Sequence, residues 1–314
     1  MEVRIGPFVR EIRAKGRAVR ARAVAALVAL SLVVGGQARA DDEADAPRPI
    51  SVPFLVHETG DVRLITTVAD VLPVDPTRRS VALGAERLSI ESPIVGTSVY
   101  GGASWVGASG VPPGVASGRK AIGGNVETWL RTVWSREGLA FGGAIGVFLP
   151  SADHASLAAR DLALTASSVD VQELNHYRTL SVGLAPSLDM RVRTGALSLQ
   201  IRQGLEYASE PGTLEDSRLH TLTTLSAAVR FGEISVAAEV KELYLLDSGV
   251  ADARRTAVVA QGGASWEMGR VVPEVQLFST VGTTLSPALE QAYGIRLGMT
   301  WRFEPRLRVE ESRR

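Results

Sequence analysis

From about residue 62 onward the sequence alternates apolar and polar side chains with period two, in segments of roughly ten to fourteen residues. Such alternation places the two residue sets on opposite faces of a β-strand. The clearest segment carries Leu180, Val182, Leu184, Pro186, Leu188, Met190 and Val192. Between them stand Ser181, Gly183, Ser187, Asp189, Arg191 and Arg193. Pro186 lacks a backbone donor, so it implies an irregularity in the ladder. Leu197, Leu199, Ile201 and Leu205 repeat the pattern against Ser198, Gln200, Arg202 and Glu206. So do Tyr293, Ile295, Leu297, Met299, Trp301 and Phe303 against Gly294, Arg296, Gly298, Thr300 and Arg302.

Twelve such segments are expected, at 62–73, 80–91, 94–107, 122–135, 138–149, 174–193, 196–208, 217–231, 234–247, 253–268, 271–282 and 289–303. Tight turns fall near Ser92-Pro93, Arg136-Glu137, Thr194-Gly195, Gly232-Glu233 and Gly269-Arg270. Longer loops alternate with them, at 74–79, 108–121, 150–173, 209–216, 248–252 and 283–288. An even number of antiparallel strands with short turns at one end and long loops at the other suits a membrane barrel. Closure leaves no open backbone edge in lipid. The expected fold class is therefore all-β: a transmembrane antiparallel up-and-down β-barrel of about 12 strands, within a range of 10 to 14.

The N-terminus supplies an address. Arg4, Arg10, Arg13, Lys15, Arg17, Arg20 and Arg22 precede an apolar run from Ala23 to Val34, which ends in Ala38-Arg39-Ala40. A basic region, a short apolar region and a small-x-small site form a secretory signal, predicted to be cleaved after Ala40. The formal net charge of zero hides this division. Residues 1–40 carry eight basic and two acidic residues, a net of +6, which leaves −6 on the remainder. An acidic mature chain disfavours nucleic acid as a partner. With no cysteine, the sequence has no disulfide framework, thiolate metal site or cysteine nucleophile. The expected organisation is a signal at 1–40, a periplasmic leader or plug at 41–61, the barrel at 62–303 and a charged tail at 304–314.

Aromatic residues provide a second pattern. Trp134, Phe231, Trp266 and Phe303 lie beside the tight-turn ends. Tyr177, Tyr207, Tyr244 and Tyr293, with Phe148, lie beside the long loops. Two girdles, one at each interface, are the distribution a membrane barrel requires. Tyr100 and Trp129 fit neither girdle.

Taken with the export signal and the final Tyr-Gly-Ile-Arg-Leu-Gly-Met-Thr-Trp-Arg-Phe strand, the alternating segments resemble a Gram-negative outer-membrane β-barrel of the broad porin-like kind. The resemblance covers 62–303 and is architectural. It implies an outer-membrane location, the lipid bilayer and the barrel-insertion machinery as partners, and Phe303 as the terminal aromatic read by that machinery. The chain departs from the pattern by continuing from Glu304 to Arg314.

The strand registers assign an inward set: Glu127, Arg131, Asp189, Arg191, Arg202, Glu206, Glu239, Lys241, Glu274 and Arg296, joined by Arg193, Arg230, Glu267 and Arg302. In a water-filled lumen such side chains set solute preference. In a narrow lumen, Arg–carboxylate pairs fill and brace it. Loop 150–173 is the longest, with Asp153 placed to cap a helix through Leu157, Leu162 and Leu164. Large porins fold their third loop inward, and this loop resembles that arrangement.

No cofactor or metal is expected, since phosphate-binding glycine loops, metal-spaced clusters and dinucleotide fingerprints are absent from the sequence. His154-Ala155-Ser156, with Asn175, superficially resembles the His-x-Ser of outer-membrane phospholipases. That family holds its pair on a strand, whereas here it falls in a loop, so no catalytic residue is expected. The primary expectation is a passive channel for small polar or ionic solutes. The alternative is a closed structural or adhesive barrel whose external loops bind a partner. A soluble periplasmic β-protein and a barrel lipase rank below these.

Overall fold

The computed structural model describes residues 62–74, 83–94, 99–111, 120–136, 138–152, 156–169, 175–178, 182–209, 218–246, 255–282 and 291–303. The signal, the leader at 41–61 and the tail at 304–314 lie outside them. The strands are β1 (Val62–Val74), β2 (Leu83–Pro93), β3 (Val99–Gly110), β4 (Lys120–Gly123), β5 (Val126–Arg136), β6 (Leu139–Leu149) and β7 (Val182–Thr194). They continue as β8 (Leu197–Ser209), β9 (Arg218–Phe231), β10 (Ile234–Leu245), β11 (Thr256–Trp266), β12 (Val271–Thr280) and β13 (Gln291–Phe303). One helix, α1 (Leu157–Val169), stands between β6 and β7.

Every ladder is antiparallel between chain neighbours, and the first strand closes the ring by pairing with the last, Val62 against Phe303 and Val74 against Gln291. Strand β2 pairs with both β1 and β3, so no gap remains in the order. The result is an up-and-down barrel of twelve staves, because β4 and β5 share one stave beside β3. Strand β3 opposes Gly123 with Gly107 but Glu127 with Ser104. The β4–β5 side therefore carries one residue more, a bulge at Gly124-Asn125.

Turn chemistry explains the tight end. Gly138, Gly195, Gly232 and Gly269 all have positive φ, between 54° and 81°, which a side chain would disfavour. The turn expected at Ser92-Pro93 instead follows it. Pro93 still belongs to β2, and the Ile94 amide donates to the Val99 carbonyl at 2.8 Å. Pro186 creates the expected irregularity in mild form. The β7–β8 ladder lacks two pairs there, between Leu184↔Tyr207 and Ser187↔Gly204, without a change of register.

The two faces of the wall are opposite to those of a soluble protein. Leu188 at 72%, Leu277 at 64% and Leu297 at 57% are among many large apolar residues exposed on the outside. The inward positions of the same strands are polar and buried, as in Asp189, Gln276 and Arg296. Trp134, Phe231, Trp266 and Phe303 are exposed at the tight-turn end, and Tyr207, Tyr244 and Tyr293 at the loop end. Trp134 stacks on Phe141 across the β5–β6 ladder, with ring centroids 5.9 Å apart. Among the described residues no helix is long and apolar enough to cross a membrane.

Two aromatic assignments are corrected. Strand β7 begins at Val182, not 174, and Tyr177 belongs to a turn in the preceding loop. It is buried and donates its hydroxyl to the Gly107 carbonyl at 3.2 Å, so it is no girdle residue. Phe148 points inward and is buried as well. Both errors have one cause: an aromatic near a strand end packs inside when a loop folds back to meet it.

Candidate functional site

The interior is stratified from the tight-turn end to the loop end. Near the turns, Glu267 accepts from Arg230 at 2.6 Å and from Arg302 at 3.1 Å, which joins β9, β13 and the end of β11. Arg131 grips Glu91 through two nitrogens, both at 2.6 Å, tying β5 to β2. Tyr100 and Trp129, which fitted neither girdle, belong to this group. The Tyr100 ring lies 4.4 Å from the Arg131 guanidinium carbon, and the Trp129 indole donates to Glu91 at 3.3 Å. Trp129 lies over Gly102, where a Cβ would collide with the indole.

At mid-height Arg202 binds Asp189 through two nitrogens, at 2.5 and 3.0 Å. Glu239 pairs with Lys241 at 3.4 Å and accepts from Gln261 at 2.8 Å. Arg296 reaches both Gln261 and Gln276 at 3.4 Å. Glu274 lies over Gly298, whose missing side chain leaves room for the carboxylate. These groups are buried as in a protein core, Lys241 to 1% exposure and Glu239 to 2%. Between β10, β11 and β12 a cavity of about 10 Å³ is bounded in part by Glu239, Gln261, Glu274 and Gln276. That is room for about one water at most.

The loop end is apolar inside, which the polar-in rule for barrels does not anticipate. Leu83, Val106, Ala108, Leu222, Leu243, Leu245, Val259 and Phe278 are buried there in one cluster with Leu162, Ala163 and Ala166 of α1. The helix thus sits inside the mouth, on the wall formed by β3 and β4. Its sequence, rich in Ala and Leu, favours helix. Ser156 caps it, with the Ala159 amide donating to the Ser156 hydroxyl at 3.2 Å. Asp153, expected as the cap, lies outside the described residues.

Beyond α1, residues 175–178 form a strap across the inner wall. Asn125, at the bulge, anchors it. Its side-chain amide donates to the Asn175 and Arg178 carbonyls at 2.9 and 2.6 Å. Its side-chain carbonyl accepts from the Ser151 and Ala152 amides at 3.0 and 2.9 Å, and its own amide donates to the His176 carbonyl at 2.5 Å. On the β8–β9 side, Asn175 donates to Glu206 at 2.8 Å, and His220 contacts the same carboxylate oxygen at 3.0 Å. Arg178 donates to the Ala208 carbonyl at 2.9 Å. On the β3–β5 side, His176 Nδ1 lies 2.7 Å from the Asn125 carbonyl and Nε2 3.4 Å from Glu127 Oε2. Phe148 meets the His176 ring edge-on, with centroids 5.0 Å apart.

All ten of the principal lumen candidates lie on the interior side, but the structure divides them. Arg131, Asp189, Arg191, Arg202, Glu239, Lys241, Glu274 and Arg296 occupy the wall below the mouth, whereas Glu127 and Glu206 hold the strap. Asn125, Ser104, His176 and His220 were not anticipated. The lipase constellation does not assemble from the described members: Ser156 is an exposed helix cap, while Asn175 is buried on Glu206. His154 lies outside the described residues.

No protein-family model matches the chain. No curated protein matches it either. Solved structures do. An outer membrane channel from Pseudomonas putida F1 is similar with a TM-score of 0.59 at 10% identity, covering 83% of this chain and 100% of that one. The NanC porin is similar with a TM-score of 0.52 at 8% identity, covering 76% of this chain and 98% of that one. The chain has the fold of the porin-like outer-membrane β-barrels.

Proposed function

We propose that this barrel is a passive outer-membrane channel for small polar or ionic solutes, here in a shut conformation. One observation carries the reading: a loop element, not a wall strand, packs inside the mouth. Helix α1 and the strap 175–178 pack on the inner wall there, and neither contributes to a barrel ladder. An obstruction of this kind can be withdrawn with every inter-strand hydrogen bond intact. Below it the wall presents charged and amide groups, the side-chain types that set solute preference where a lumen is hydrated. Two solved barrels of the same fold are called a channel and a porin, which agrees with the reading.

Export would proceed through removal of the signal after Ala40, with Phe303 read by the insertion machinery and the exposed apolar belt received by the bilayer. N-terminal sequencing of the protein from outer membranes tests this, and an intact Met1 would count against it. No catalytic step or cofactor enters this reading.

The closed structural barrel remains the second reading, favoured by the burial of Lys241, Glu239 and Asp189 among their partners. Planar-bilayer recording separates the two. The wild-type protein and a variant with 156–174 replaced by a short Gly-Ser linker are compared. A channel shows current that rises when the loop is shortened. Folded protein that conducts in neither form establishes the closed barrel.

A further inference from the structure

His176 occupies an unusual electrostatic position. Its Nδ1 lies 2.7 Å from the Asn125 carbonyl oxygen, which can only accept, so Nδ1 must carry a proton. Its Nε2 faces the Glu127 carboxylate at 3.4 Å and the Ser104 hydroxyl at 3.5 Å. Ser104 donates to Glu127 at 3.2 Å, and its single proton cannot serve both partners. A neutral imidazole has one N–H and one lone pair. Protonated on Nδ1 alone, the ring can accept at Nε2 from the Ser104 hydroxyl but donates nothing to Glu127. Only the imidazolium, with both nitrogens donating, satisfies the carbonyl and the carboxylate together.

Other charged groups also face Glu127. Arg87 of β2 acts on Glu127 electrostatically, as does Arg202 of β8. Phe148 of β6, which meets the His176 ring edge-on, is uncharged. The other end of the strap behaves differently. There the strap's own donor is the Asn175 amide, 2.8 Å from Glu206, with His220 of β9 at 3.0 Å from the same carboxylate oxygen. Within residues 175–178 the imidazole is that of His176, and it faces Glu127.

We propose that the strap is a pH-responsive latch: protonated His176 holds residues 175–178 and helix α1 in the mouth, and loss of its second proton releases them. Release would open the barrel as pH rises through the imidazole range, which extends to regulation the channel reading given above. A charge-assisted hydrogen bond of this kind changes an opening equilibrium by about tenfold or more.

The absence of native cysteine permits a direct test. Cysteine is placed at the buried Ala166 (Ala166→Cys) or at the exposed Leu157 (Leu157→Cys) of the full-length exported protein in lipid vesicles. Both are labelled with a membrane-impermeant maleimide from pH 5.5 to 8.5. The ratio of the two rates removes the thiol's own titration. The ratio is expected to rise about tenfold with pH, and to lose that dependence with His176→Gln or Glu127→Gln. Planar-bilayer current recorded in parallel should rise over the same range. A ratio flat in the wild-type background, or equally pH-dependent with His176→Gln, overturns the latch. Labelling that follows His176 while no current flows at any pH upholds the latch and rejects the channel reading.

Discussion

Asp189 and Arg202 face each other across the β7–β8 ladder and pair through two guanidinium nitrogens, at 2.5 and 3.0 Å. Asp189 is buried and Arg202 only partly so. Removing one partner leaves a charge in a poorly solvated lumen, whereas removing both leaves neither. Asp189→Leu alone should destabilise the barrel by about 3 kcal/mol, and Asp189→Leu with Arg202→Met by much less. Urea unfolding in vesicles, run as a double-mutant cycle, measures the difference. A double variant as unstable as the single one would show that the pair braces the wall beyond the charge it neutralises.

Asn125 satisfies four backbone groups with one side chain: two carbonyls of the strap and two amides following β6. Asn125→Ala leaves them without that partner, at about 1–3 kcal/mol for each one that stays buried. None of the four belongs to a barrel ladder. The expected outcome is release of the strap from a folded barrel. Cysteine labelling at Ala166 should rise at every pH, while the heat-dependent gel mobility typical of a closed barrel persists. Loss of that mobility would place Asn125 in the barrel's own stability instead.

Glu274 crosses over Gly298, where a Cβ would overlap its side chain. Gly298→Val should therefore push Glu274 away and destabilise the β12–β13 region by about 1–3 kcal/mol. Combining it with Glu274→Ala should recover most of the loss. Denaturant unfolding of the four proteins of this cycle reads the coupling directly. Simple additivity would mean that the wall resists the valine for another reason.

Period two made most of the wall readable. Leu180 to Val192 could occupy no other structure comfortably, and the registers drawn from them placed Asp189, Arg202, Glu239 and Arg296 on the inside. The contents of the mouth were less legible, for a physical reason. Alternation reports which residues share a face, but an apolar residue on the inner face does not announce what covers it. Leu222, Leu243 and Phe278 stand in the inward register and break the polar-in rule. They were a signal that something apolar packs within, and α1 is that element. Asn125 was hidden because a single-residue bulge leaves the pattern intact on both sides. His176 and His220 sit 44 positions apart in sequence and are linked through the Asn175–Glu206 contact, which no local spacing encodes.

The inside-out wall makes the sharpest distinction between lipid and water outside the barrel. Leu188 is the seventh of thirteen residues in β7 and is 72% exposed, so in a membrane it lies near the centre of the hydrocarbon. Leu157 on the helix is 78% exposed but lies at the loop end. Arginine at the midplane of a barrel wall costs about 2–4 kcal/mol, and close to nothing near an interface or in water. Leu188→Arg should therefore lower unfolding stability in vesicles by that amount, while Leu157→Arg leaves it nearly unchanged. In a water-soluble sandwich both substitutions would be tolerated alike, because each replaces an exposed leucine with a solvated cation. Equal stability of the two variants would thus argue against a bilayer around β7.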